Sequence, residues 1–150
     1  MTETRTEART EIRTTAKEEN PAMIAARNSW RCVQAKDKDA WLDLMAEDMV
    51  MEDPIGIAVT NPDGKGIQGK RAVSEFWDAS MAKMDISIET HESFAAGNES
   101  AHRMTLTTRF ENGGGMVVNG IFTYRVNEQG KLTNLRGYWA LDETEIRPPR

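Results

Sequence analysis

The apolar positions of this chain change period once, and the change divides it into a helical part and a strand part. Met23, Ala26, Trp30 and Val33 recur in steps of three and four, which predicts a helix opening at Asn20-Pro21, an N-cap residue followed by proline at the first helical position. Lys36-Asp37-Lys38 is a polar break, and a second helix follows with Asp37 or Asp39 as its cap and Trp41, Leu44 and Met45 facing inward. Met49 to Glu52 reads as extended, and Pro54 stops it. Asn61 to Gly66 is rich in turn residues, and a third helix is predicted from about Lys70 to Ala82 with Val73, Phe76, Trp77 and Ser80 on its inner side.

Beyond that helix the period falls to two. Ile86 and Ile88 alternate with polar residues. His102, Met104, Leu106, Thr108 and Phe110 share one face, opposite Arg103, Thr105, Thr107 and Arg109. Asn112 to Gly115 is a hairpin turn, after which Met116, Val118, Gly120, Phe122, Tyr124 and Val126 line up. A last strand places Leu135, Trp139 and Leu141 on one face, so Tyr138 faces the other way. Helices followed by a long meander define an α+β protein, a curved antiparallel sheet wrapped around three N-terminal helices. The domain is expected over residues 20–143, with a C-terminal tail at 144–150. Residues 1–19 stack like charges at i,i+4 and have little to bury; they read as a flexible charged tail.

Composition narrows the function classes. The chain has 150 residues, enough for one domain, and only 39% of them are hydrophobic. Acidic side chains number 24 against 19 basic, a net charge of −5 that argues against nucleic acid as a partner. No run approaches the roughly 18 apolar residues of a membrane span, and no signal peptide is visible, so a cytoplasmic protein without membrane contact is expected. One cysteine and two histidines supply no metal constellation, and no phosphate-loop spacing occurs; no metal and no cofactor is expected. Cys32 and His102 read as packing residues, and His91 as a surface one.

Three stretches carry a family resemblance: Leu44-Met45-Ala46-Glu47-Asp48, then Met51-Glu52-Asp53-Pro54-Ile55-Gly56, then Gly66-Ile67-Gln68-Gly69-Lys70 leading into Glu75-Phe76-Trp77. Tyr124-Arg125-Val126-Asn127 and Arg136-Gly137-Tyr138-Trp139 continue it, so that about residues 22–142 are covered. Over this span the chain resembles the ketosteroid isomerases of the superfamily that includes nuclear transport factor 2 and the SnoaL-type cyclases. The resemblance implies a conical half-barrel around an apolar pocket, a small steroid-like ligand and a homodimer. Ketosteroid isomerases are the reference case of an aspartate base beside an oxyanion hole, moving a proton from C4 to C6 of a 3-oxo-Δ5-steroid.

The family's base falls on Asp53. Its oxyanion tyrosine falls on Ser29, beside Trp30, its protonated aspartic acid on Phe122, and a supporting aromatic on Trp77. Met104, Leu106, Val118, Phe76 and Trp139 are expected to complete the wall of the substrate site. Losing one oxyanion donor typically costs about 100- to 1000-fold in rate. A binding protein without catalysis is therefore the alternative reading, and a different reaction on the same scaffold, such as polyketide cyclisation or epoxide hydrolysis, is a third.

Overall fold

The computed structural model describes residues 20–149; the expected tail over residues 1–19 lies outside them. Helix α1 spans Pro21–Ala35, and the Asn20 side chain caps it by accepting from the Met23 N–H at 3.0 Å. The same side chain donates to the Gly97 carbonyl, tying the start of the helix to a distant hairpin turn. Helix α2, Lys38–Asp43, is capped by Asp37 and is shorter than its pattern suggests, since Met45 already belongs to a strand. Helix α3 runs over Lys70–Ala79, and the following Met81–Lys83 is a 3-10 turn rather than a continuation.

The strands are β1 (Met45–Glu52), β2 (Ile67–Gln68), β3 (Met84–Ala96), β4 (Glu99–Phe110), β5 (Gly115–Val126), β6 (Leu132–Tyr138) and β7 (Glu145–Arg147). They form one curved sheet in the order β2-β1-β6-β5-β4-β3, with β7 pairing the start of β5. Two expectations change. The sheet is mixed, not purely antiparallel, because β1 lies parallel to β6, with Met51 opposite Leu135. Part of the C-terminal piece set apart as a tail also belongs to the sheet: Glu145–Arg147 pairs with Val117, Met116 and Gly115.

Period-two alternation sets which side chains meet the helices. Across β4 and β5, Met104 opposes Gly120, Leu106 opposes Val118 and His102 opposes Phe122, and helix α1 packs over this face. Gln34 on α1 accepts the N–H of Ile88, satisfying a backbone donor on the edge strand β3. The core collects Trp41, Met45, Met49, Val73, Trp77 and Leu132 at the closed side of the cone. His102 is fully buried, its two ring nitrogens at 2.8 Å from the hydroxyls of Ser93 and Ser100, as a packing histidine requires.

Candidate active site

Between the inner face of the sheet and the helices lies a hollow of about 420 Å³, in the range of small-molecule sites. Helix α1 contributes Ser29, Trp30 and Val33, α3 contributes Phe76, and the sheet contributes Met104, Leu106, Val118, Phe122 and Leu135. Asp53 and Trp139 face each other across one wall. Nine of the ten residues expected at the site therefore line one cavity. Trp77 does not. One position beyond Phe76 it turns about 100° round the helix and packs against Trp41, ring centroids 4.9 Å apart, in the core behind the hollow.

Asp53 follows directly on β1, and its carboxyl lies over Gly137 of β6. A Cβ on Gly137 would stand 2.6 Å from the Asp53 Oδ1 and 3.0 Å from both the Phe122 ring and the Trp139 Nε1. The carboxyl thus occupies space that only a residue without a side chain can leave. Trp139 donates its indole N–H to the Asp53 Oδ1 at 2.6 Å, a close contact for an N–H···O bond. Burial pushes the Asp53 carboxyl above the ordinary aspartate range, and the Trp139 hydrogen bond opposes this without cancelling it. A carboxylate held this way is a stronger base than one in water and takes a proton at smaller cost.

The tryptophans do something the sequence reading did not foresee. Three of the four each hold an oxygen of the cavity wall: Trp139 holds Asp53, Trp41 donates to the Ser29 hydroxyl at 3.0 Å, and Trp30 donates to the Tyr124 hydroxyl at 2.9 Å. Their N–H groups are thus spent on the protein, not left free for a ligand. Tyr124 itself was legible as an inner-face residue, two positions from Phe122, but not as a wall residue of the site. Burial pushes its phenol well above the usual tyrosine range; the Trp30 bond works against this and the Asp53 charge adds to it. Its ring also meets the His102 ring edge-on, centroids 5.5 Å apart.

The mouth is closed in part by the loop after Asp53. Buried Asn61 donates to the Pro54 carbonyl and accepts from the Gly66 N–H, while the Thr60 hydroxyl donates to the Asp53 carbonyl. This lashing holds Ala58, Val59 and Thr60 over the cavity. Tyr138, expected to face away, does so and is 48% exposed; Glu52, paired with Arg136, and Asn119, accepting from Thr105, also lie on the outer face. Cys32 is partly buried on α1; burial raises its thiol above the usual range, with Asp37 adding to the effect and Arg31 opposing it. Among the described residues, no group of three His, Cys, Asp or Glu side chains could hold a metal ion, and no helix is long and apolar enough to cross a membrane.

Fold and cavity together define a cone-shaped α+β domain of the nuclear transport factor 2-like type. Residues 26–135 match the model of the SnoaL-like domain, and the chain belongs to that family. Solved structures similar to it include three that each match over 85% of this chain. The Δ5-3-ketosteroid isomerase from Mycobacterium sp. is 46% identical, with 98% of that chain covered and a TM-score of 0.82. The Mycobacterium tuberculosis protein RV0760c, in complex with estradiol-17beta-hemisuccinate, is 50% identical with 99% covered and a TM-score of 0.82. A computationally designed 17-OHP binder is 47% identical with 99% covered and a TM-score of 0.83.

Proposed function

We propose that this protein binds a steroid or a similarly flat polycyclic ligand in the cone and that Asp53 moves a proton from C4 to C6 of a 3-oxo-Δ5-steroid. The observation that carries the reading is the Asp53 carboxyl, held by Trp139 in a wall of Met, Leu, Val and Phe side chains. In the first half-step the carboxylate takes the C4 proton, the C–H electron pair enters the ring as a dienolate, and O3 gains negative charge. In the second, the dienolate takes the proton back from Asp53 at C6 and the double bond settles between C4 and C5. No proton is gained or lost overall. An apolar surround brings the carboxyl closer in basicity to the dienolate, which favours the first half-step and keeps the states on either side of each proton transfer close in energy.

Incubation with 5-androstene-3,17-dione, followed by enone absorbance, tests this. Turnover is expected in the wild-type protein, and Asp53→Asn is expected to lower kcat by about 100- to 10,000-fold, the usual contribution of a general base. Full turnover in Asp53→Asn would remove Asp53 from the mechanism.

A second reading has its own observation. Phe122, standing where the family's oxyanion aspartic acid falls, carries no donor, and Ser29 offers only a short hydroxyl where the family has a phenol. A binding protein without isomerase activity would show saturable steroid binding and no enone formation even at high protein concentration. The paired outer-face residues Ile121 and Tyr138, 40% and 48% exposed, support a homodimer through the outside of the sheet, for which sedimentation is the check.

A further inference from the structure

We infer that the Tyr124 hydroxyl is the donor that receives the ligand's carbonyl oxygen, supplied from strand β5 instead of from helix α1. The inference rests on the steroid reading of the cavity and adds to it the orientation of the ligand, with the ketone-bearing ring innermost.

Register places Tyr124 and Asp53 beside each other on the inner face. Phe122 opposes Gly137 and Tyr124 opposes Leu135, so Tyr124 lies diagonally across from the glycine under the Asp53 carboxyl. Such diagonal neighbours in an antiparallel pair are about 7–8 Å apart backbone to backbone, and the Asp53 charge acts on the Tyr124 phenol. One ring of a polycycle then presents its carbonyl to the phenol and its adjacent CH₂ to the carboxylate. Both residues line the same hollow.

The state of the hydroxyl fits a donor. It accepts the Trp30 N–H at 2.9 Å, and among the described residues this is its only hydrogen bond. The phenol's own proton is therefore left to give, and the bond it accepts polarises the O–H and strengthens it as a donor. Trp30 and His102 both meet the Tyr124 ring edge-on, so little freedom is lost when a ligand arrives. The other hydroxyls of the wall are less suited. Thr60 is spent on the Asp53 carbonyl, Thr108, opposite Met116, sits toward the other end of β5, Ser80 lies past the end of helix α3, and the Ser29 hydroxyl reaches less far from its backbone than a phenol. When Asp53 takes the C4 proton, charge grows on O3, and a donor fixed there stabilises the dienolate more than the ketone.

The experiment compares a 3-keto steroid with its 3-deoxy counterpart in the wild type and in Tyr124→Phe. The wild type should bind the ketone about tenfold more tightly than the deoxy compound, the effect of one good hydrogen bond. Tyr124→Phe should bring that ratio close to one, leave the deoxy affinity within about twofold, and lower kcat for 5-androstene-3,17-dione by about 100- to 1000-fold. A ratio that survives in Tyr124→Phe, or a loss shared equally by both ligands, would overturn the assignment while leaving steroid binding intact. Absence of saturable binding of either steroid to the wild type would overturn the steroid reading and this inference with it. A measurement free of folding effects is the infrared carbonyl stretch of the bound ketone in the wild type. It should lie below its value in cyclohexane, and an unshifted band would contradict a donor at O3.

Discussion

The two faces of the sheet use polar side chains for opposite ends, and neighbouring residues make the contrast plain. Glu52 and Asp53 are consecutive, yet Glu52 meets Arg136 outside at 3.1 Å while Asp53 meets Trp139 inside at 2.6 Å. On the outer face, charge faces charge: the Glu52 carboxylate, its side chain 18% exposed, is matched directly by the guanidinium of Arg136, 40% exposed. On the inner face three oxygens are each held by a neutral indole N–H among apolar neighbours, so no counter-ion quenches them. Asp53 thereby keeps its reactivity. A cationic partner at the same place would have pulled its carboxyl down toward an inert carboxylate.

The contrast breaks most visibly if consecutive acids are exchanged for their amides. Asp53→Asn is expected to remove about 100- to 10,000-fold of the isomerase rate, whereas Glu52→Gln should stay within about twofold, both read from kcat on 5-androstene-3,17-dione. Gly137→Ala sharpens it next. The added methyl would meet the Asp53 Oδ1 at 2.6 Å and must push the carboxyl aside. A displacement of about 1 Å can cost about 100-fold, so kcat should fall by that order while the thermal unfolding profile stays cooperative. At the small end stands the outer pair Arg103–Glu92, 3.0 Å apart with both side chains about half exposed. Arg103→Ala should cost at most about 1 kcal/mol in denaturant unfolding and leave kcat unchanged.

Legibility in the sequence followed the range of the physics involved. Local signals were plain: the Asn20-Pro21 cap, a second cap narrowed to Asp37 or Asp39 and found at Asp37, the hairpin at Asn112 to Gly115, and the alternation that sends Trp139 in and Tyr138 out. Asp53 stood out as a site candidate only through the family resemblance, since Asp-Pro after an extended run reads by itself as a turn. The parallel pairing of β1 with β6 was not legible, because Met51 and Leu135 share no local pattern. Nor were the indole bonds, which join residues as far apart as Trp30 and Tyr124. Trp77 was misplaced for a related reason. A helical stripe tells which residues are buried, but α2 as well as the sheet was there to bury them. Gly137 shows a different limit, since a glycine that makes room for a carboxyl looks in sequence like any other glycine in a strand.

The account turns on an aspartate base kept in an apolar wall, and the pH dependence of kcat/KM reads that environment directly. The working form is the carboxylate, so activity should fall as pH drops through the Asp53 pKa. Since burial raises that pKa, the acid limb should lie above the ordinary aspartate range. Loss of the opposing indole bond in Trp139→Phe should move the limb higher still, and Glu52→Gln should leave it in place. An acid limb at the ordinary aspartate value, or one that Glu52→Gln shifts as far as Trp139→Phe does, would contradict the assignment of Asp53 as the caged base.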